Sequence, residues 1–235
     1  MRVILSFLLF LCFLFAHAGN EFILSLDYQI LVNEKYNLFV SINYDFSGYP
    51  EFIDSTVVSK SLKGVPLKYH ISSITTSRYS NDIYPRLIFH KVNFLQGDLE
   101  VKQNTFFDKS KGIEVYSSFK KEGKFFTTNF SINYIECFDI PGLLFFISIN
   151  GLSNVKSFCL FYSQSFTNIY LTNLSEFNKF GDLSDEFVRF KNVGGLTLVD
   201  RFKFSNVSIG IFTNAYVEGK LVDLKIIDRS ELKNN

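Results

Sequence analysis

The feature that most constrains the fold of this chain is a period-two alternation of apolar and polar residues. Even-numbered positions across residues 22–32 carry Phe, Leu, Leu, Tyr, Ile and Val, and those across residues 36–46 carry Tyr, Leu, Val, Ile, Tyr and Phe. The odd positions between them are mostly Ser, Asp, Gln and Asn. Successive side chains of a β-strand point to opposite faces, so this pattern predicts two strands, each with one buried face. The polar residues 33–35 between them predict a hairpin.

Strand-like segments recur down the rest of the chain, and only Leu183, Phe187 and Phe190 recur at helical spacing. Composition agrees, because Ala215 is the only alanine after residue 18 and alanine is the best helix former. Around a dozen short strands predict an all-β fold, an antiparallel β-sandwich or jelly roll. The further predicted strands are 65–71, 86–95, 99–107, 113–119, 125–136, 143–149, 196–204 and 207–213, with a final hairpin around Glu218 and Gly219.

The N-terminus has the three parts of a secretory leader. Met1 and Arg2 give a positively charged start, residues 3–15 are almost wholly apolar, and Ala16-His17-Ala18 is a small-x-small cleavage site. A membrane anchor is the alternative, but the apolar run is shorter than the roughly 20 residues of a membrane span. We expect residues 1–18 to be a cleaved signal peptide and the mature, secreted chain to begin at Gly19.

The mature chain is predicted to be a single domain without a transmembrane segment. Its most apolar run, residues 140–149, is short and contains Pro141 and Gly142, which suits a buried strand better than a span. Residues 19–235 fit one large β-sandwich-like domain. The alternative is two β domains, 19–108 and 109–235, joined near residues 108–112. No Pro-, Gly- or Ser-rich linker marks a boundary, so one domain is preferred.

Charge gives no reason to expect a nucleic-acid partner. The chain has 24 Lys and Arg, of which Arg2 lies in the leader, and 23 Asp and Glu. The mature chain therefore carries 23 charges of each sign. Nucleic acids and acidic membrane surfaces attract proteins with an excess of basic residues, and the mature chain has no such excess.

Two cysteines remain after cleavage, Cys137 and Cys159. In an oxidising compartment they have only each other, so a disulfide is expected, with two buried free thiols as the alternative. If residues 126–137, 143–149 and 155–162 formed a simple meander, the middle strand would separate the cysteines by about 9–10 Å, beyond disulfide reach. A bridge therefore requires their strands to be direct neighbours or to lie on facing sheets.

Three sequons predict N-glycosylation, at Asn129, Asn173 and Asn206. The strand pattern supports two of them. If Phe126 and Phe130 face inward, Asn129 faces outward, and the alternation around Asn206 gives the same result. A glycan needs a solvent-exposed position, and an outward-facing position on a strand provides one.

Motifs for catalysis, metal binding or cofactor binding are absent from the sequence, so no such site is predicted. His70 and His90 are expected to be solvated or hydrogen-bonded structural residues. Asp182, Asp185 and Glu186 form an acidic cluster that could bind calcium or act as a glycosidase pair. Capping of a short helix is the simpler explanation for that cluster.

These observations favour a secreted β-rich glycoprotein with a non-enzymatic binding or structural role and an extracellular protein or glycan as its partner. The alternative is a secreted, carboxylate-based hydrolase that acts on glycans. Two facing carboxylates about 5–10 Å apart in a groove would favour the hydrolase. An exposed aromatic patch would favour binding.

Overall fold

The computed structural model describes residues 22–48, 51–81, 85–150, 157–162, 165–170, 188–193, 196–209 and 212–228, so the expected leader lies outside it. Most of these residues are in β-strands, which confirms the all-β class. A helix, α1 (Ile140–Asn150), and a 3-10 turn, Leu67–Tyr69, are also present. The strands are β1 Phe22–Val32, β2 Tyr36–Asp45, β3 Phe52–Ser61, β4 Ile71–Asn81, β5 Pro85–Gln96, β6 Leu99–Asp108, β7 Gly112–Lys121, β8 Lys124–Ile132, β9 Cys137–Phe138, β10 Ser157–Tyr162, β11 Ser165–Tyr170, β12 Val188–Val193, β13 Leu196–Ile209 and β14 Phe212–Asp228.

Eleven of the described strands form one antiparallel sheet in the order β12-β13-β14-β1-β2-β3-β4-β5-β6-β7-β8. From β1 to β8 each strand pairs with the next one in the chain, and β14 pairs with β1. The other three strands form a small sheet in which β9 and β10 are parallel. Jelly rolls are built from Greek-key connections between non-consecutive strands. The described strands follow a meander instead, so the expectation of a sandwich or jelly roll is not confirmed.

The alternation read from the sequence is visible in the sheet. Most even-numbered residues of β1 and β2, among them Leu24, Leu26, Ile42 and Tyr44, are buried. We call the sheet face on which they lie the inner face and the opposite one the outer face. Residues 108–112, considered above as a joint between domains, contain the turn that connects β6 to β7 within the same sheet.

Helix α1 lies against the inner face, so the prediction of a strand at 143–149 is wrong. Leu143, Leu144, Phe145 and Phe146 are all buried. With 3.6 residues per turn, four consecutive side chains point to all sides of a helix, so this part of α1 is buried on every side. The helix contacts both β5 and β13, which are six positions apart in the sheet. Six strand spacings span about 29 Å, whereas a helix is about 10–12 Å wide. The sheet must therefore curve around the helix. In the described part of the chain no helix combines the length and apolar character needed to cross a membrane.

Other local predictions also differ from the structure. Residues 65–71 were expected to be a strand, but Pro66 precedes the 3-10 turn and β4 begins only at Ile71. Strand β3 was not predicted at all. Phe190, expected in a helix, lies in β12, while Leu183 and Phe187 fall outside the described residues. The hairpin predicted around Glu218 is wrong, because β14 runs straight through it.

Gly219 lies within β14 and pairs with Phe202 on β13. A Cβ atom at Gly219 would lie 2.2 Å from the ring of Phe202, which is itself buried. Glycine is therefore required here because the ring occupies the space of its side chain, and not because the chain turns.

We predict that Gly219→Ala lowers the free energy of unfolding by about 1–3 kcal/mol, the usual cost of overpacking a core. Urea unfolding measures the change. The matched control is the same substitution in a Phe202→Leu background, where the ring is gone and the cost should largely disappear. If the cost persists in that background, contact with the Phe202 ring is not the reason that glycine is required at position 219.

Candidate functional site

A cluster of polar side chains is buried where helix α1 meets the inner face. Strand register explains how it forms. Ser77 on β4 pairs with Ser55 on β3 and with His90 on β5, so the three side chains lie side by side. Tyr79 lies two residues along β4, and Asp139 directly precedes the helix. All five are buried, and we call them the buried polar cluster.

Asp139 is the centre of this cluster. Its Oδ2 accepts a hydrogen bond from Ser77 Oγ at 2.5 Å and lies 3.3 Å from His90 Nδ1. Its Oδ1 accepts hydrogen bonds from the Tyr79 hydroxyl at 2.7 Å and from the backbone N–H of Gly142 at 2.9 Å. The bond from Gly142 is that of a helix N-cap, in which a side-chain oxygen accepts from a free N–H of the first turn. Asp139 therefore caps the helix and attaches it to β4 and β5.

The surroundings of Asp139 also decide its charge. Burial alone raises the pKa of a carboxyl group, but hydrogen bonds from His90, Ser77 and Tyr79, with the charge attraction of His90, outweigh it and lower the pKa of Asp139 below its usual value. Burial, followed by the charge of Asp139, raises the pKa of Tyr79 well above its usual value. The carboxylate is thus ionised, and the phenol stays protonated and donates to it.

Ser77, His90 and Asp139 are the residue types of a nucleophilic triad, but their arrangement does not fit one. In a triad, the serine hydroxyl contacts one imidazole nitrogen and the carboxylate contacts the other. Here Ser77 Oγ, at 2.9 Å, and the carboxylate both approach His90 Nδ1. The three side chains are also closed off from solvent. The cluster is a structural anchor for the helix, in agreement with a hydrogen-bonded structural role for His90. His70 is exposed.

Strands β1–β8 offer no acid pair of the glycosidase kind on their described inner face. The acidic residues of β1–β8 lie on the outer face or at strand ends. Where α1 meets β4 and β5, the carboxylate on the inner side is that of Asp139, whose two oxygens are already engaged. The acidic cluster of Asp182, Asp185 and Glu186 falls outside the described residues.

The opposite end of the sheet is different, because β8 pairs with β7 and with no other described strand. Register places Phe126 and Phe130 opposite Phe119 and Val115, on the inner face. No described element covers them, and they are 58% and 39% exposed. Phe125, on the outer face, is 65% exposed. We call this strand, with its three exposed rings, the β8 edge.

The turn between β7 and β8 fixes which backbone groups of the β8 edge are available. Its two central residues, Glu122 and Gly123, have φ angles of 50° and 76°, as in a type I′ hairpin turn. Lys121 and Lys124 close such a turn as a hydrogen-bonded pair, and bonded and non-bonded pairs then alternate along the ladder. The N–H groups of even-numbered residues 124–132 therefore face β7, and those of odd-numbered residues 125–131 face away.

On the outer face, the sequon residue Asn129 is exposed and lies directly opposite Tyr116 of β7, whose ring is 46% exposed. It belongs to a shallow depression lined by Lys102, Asn104, Tyr116, Ser117, Ser118, Thr127, Thr128 and Asn129. Asn173 and the side chain of Asn206 lie outside the described residues.

The backbone places the two cysteines on neighbouring strands, one of the arrangements that a disulfide requires. Because residues 143–149 form a helix and not an intervening strand, β9 and β10 are direct neighbours, and Cys137 and Cys159 are paired in register. Adjacent strands are about 4.8 Å apart, within the range of Cα separations that a disulfide spans. No disulfide occurs among the side chains described, which do not include that of Cys159, so the bond stays a prediction.

Comparison with known proteins adds little. Neither a family model nor a curated protein matches the chain. Among solved structures it is similar to one described as "Crystal Structure of Beta-barrel-like Protein of Domain of Unknown Function DUF1849 from Brucella abortus". The identity is 13%, the match covers 89% of this chain and 98% of the other, and the TM-score is 0.40. A similarity of this size carries no argument about function.

We predict that Asp139→Asn lowers the free energy of unfolding at neutral pH by about 1–3 kcal/mol, because the new NH2 group meets donors where an oxygen accepted bonds. Folding lowers the pKa of Asp139, so its contribution is complete above the ordinary value of about 3.9 and is lost as pH falls through the lower folded-state pKa. Urea unfolding at several pH values should therefore show wild type and variant converging below about pH 4.

The control for this comparison is Asp54→Asn, which removes an exposed ion pair with Arg78. Its cost should stay below about 1 kcal/mol, the usual limit for a surface pair. Equal costs for Asp54→Asn and Asp139→Asn at neutral pH would contradict the anchoring role of Asp139.

We also predict that peptide mapping of the unreduced, secreted protein finds Cys137 and Cys159 in one linked pair. A bond that closes a loop of about 23 residues is worth roughly 3 kcal/mol, so Cys137→Ser and Cys159→Ser should destabilise the fold to the same extent. Alkylation of both thiols in unfolded but unreduced protein would exclude the bond.

Proposed function

We propose that this chain is a secreted, β-rich glycoprotein with a non-enzymatic binding role, and that the β8 edge is its binding surface. Secretion is supported by the leader pattern at residues 1–18, and glycosylation by the sequons, of which Asn129 has an exposed position. A binding role is supported by the exposed rings at 125, 126 and 130. The hydrolase alternative is the weaker proposal, because the acidic residues of β1–β8 lie on the outer face or at strand ends.

The partner that fits this surface is an extended segment of another protein. Backbone N–H and C=O groups along the outer side of a sheet edge form hydrogen bonds with an added strand, and side chains of the edge strand select alternate residues of that segment. The β8 edge offers the odd-numbered N–H groups of residues 125–131 for such bonds. Phe126 and Phe130 offer apolar contacts on the inner face, four residues apart with Thr128 between them, so they would face residues of an added strand that lie on that same face.

Positive charge at the β7–β8 turn favours an acidic residue at one end of the bound segment. Lys120, Lys121 and Lys124 are all exposed there, and the eight residues from 125 to 132 carry no charge. We therefore expect a segment with apolar residues at alternate positions and an acidic residue at the end that lies beside the turn.

Selection from a displayed library of random peptides tests this function. Peptides bound by the wild-type protein should carry the alternating apolar pattern. Thr127→Pro should abolish their binding, since its N–H points away from β7, and proline there removes an outward donor while leaving the β7–β8 ladder intact. Unfolding in urea checks that this variant is folded. Phe126→Ser should weaken binding by removing an inner-face ring.

The matched control is Thr56→Ser on β3, a conservative change in the interior of the sheet, which should leave binding unchanged. Enriched peptides that lack the alternation, or that bind Thr127→Pro as well as wild type, would contradict the proposed surface.

A further inference from the structure

The β8 edge is complementary to itself. Its central residues read Phe126-Thr127-Thr128-Asn129-Phe130, with an aromatic ring on the inner face on either side of Thr128. If two copies paired antiparallel about Thr128, Phe126 of each would lie opposite Phe130 of the other. This arrangement would extend one sheet into the next through a two-fold interface, and it would cover the exposed rings.

The sequon lies on the same strand, at the position where self-pairing would be most sensitive to an added group. In the two-fold arrangement Asn129 lies opposite Thr127 of the second copy, so the two Asn129 side chains are diagonal neighbours on the outer face. Diagonal neighbours are about 7–8 Å apart. Glycans are bulky, so two of them attached this close together on one face of a continuous sheet would compete for the same space and oppose the pairing of two copies.

The outer face has room for a single glycan. Asn129 and Tyr116 are opposite each other in a non-hydrogen-bonded pair, the closer of the two antiparallel arrangements. The shallow depression around them extends over β6 and β7 and is lined by hydroxyl, amide and ammonium groups and by the exposed ring of Tyr116. A partner segment that carries no glycan opposite Asn129 leaves this face to a single glycan, so the backbone groups of the β8 edge stay accessible to it.

We propose that a glycan on Asn129 prevents copies of this chain from pairing through their β8 edges, while an extended partner segment without a glycan opposite Asn129 still binds there. The inference rests on the proposed function, which supplies the glycan and the binding edge. The glycan then determines specificity, because it excludes the second copy and not the partner.

The test compares the association state of proteins secreted from eukaryotic cells by sedimentation, with the glycan at each site assigned by mass spectrometry. Wild type should carry a glycan on Asn129 and be monomeric. Asn129→Gln and Ser131→Ala both remove the sequon, and both should about double the sedimenting mass. Adding Thr127→Pro to Asn129→Gln should restore the monomer, because it removes the outward N–H at that position. Asn206→Gln is the matched control, which removes a sequon away from β8 and should stay monomeric.

Several results would overturn the proposal: an unmodified Asn129 in the wild-type protein, a dimeric wild type, sequon variants that stay monomeric, or a dimer that Thr127→Pro does not dissociate. Using two sequon variants guards against a folding defect in either one. Peptide selection distinguishes this proposal from the proposed function. If peptides still depend on the β8 edge while the sequon variants remain monomeric, the binding surface stands and only the role of the glycan is lost.

Discussion

The carboxylate of Asp139 is the interaction on which the position of helix α1 depends. An ionised carboxylate in a protein interior loses several kcal/mol of hydration, which neighbouring donors must replace. Those donors are Ser77 and Tyr79 on β4, His90 on β5 and a backbone N–H of the helix itself. All of them reach the carboxylate only when the helix is seated on the inner face. The apolar helix surface could pack in many orientations, and this charge selects one of them.

The sequence predicted the strands where one face is buried and the other is solvated. The bounds expected for β1 and β2 agree with the structure to within a residue, because alternation identifies such strands directly. It failed at residues 140–150, where residues 141–146 are all buried, since a continuous apolar run fits a buried strand and a buried helix equally well. An aspartate at 139 followed by Pro141 in the first turn was the available helix signal. Gly219 was misread as a turn because glycine marks both turns and close approaches of another side chain.

The sites were less predictable than the strands because they combine residues that are distant in sequence. Ser77, His90 and Asp139 form no motif, and only the β4–β5 register together with the helix cap brings them into contact. The pairing of Cys137 with Cys159 likewise depends on the helix, which removes the strand expected between them. The alternation of apolar and polar residues assigned Phe126 and Phe130 to the inner face. It carries no information about whether a helix or a second sheet covers that face.

An edge strand with exposed rings needs some protection against unwanted pairing. Proteins use prolines, inward-pointing charges or β-bulges for this purpose. None of these occurs along β8 from 125 to 132, and its register with β7 is regular over the whole length. The lysines lie only at the turn, too far along the strand to oppose pairing at its centre. The centre is where Asn129 lies, so a carbohydrate at that position would supply the protection that the amino acids do not. It would act on the outer face and leave the backbone edge itself intact for a chosen partner.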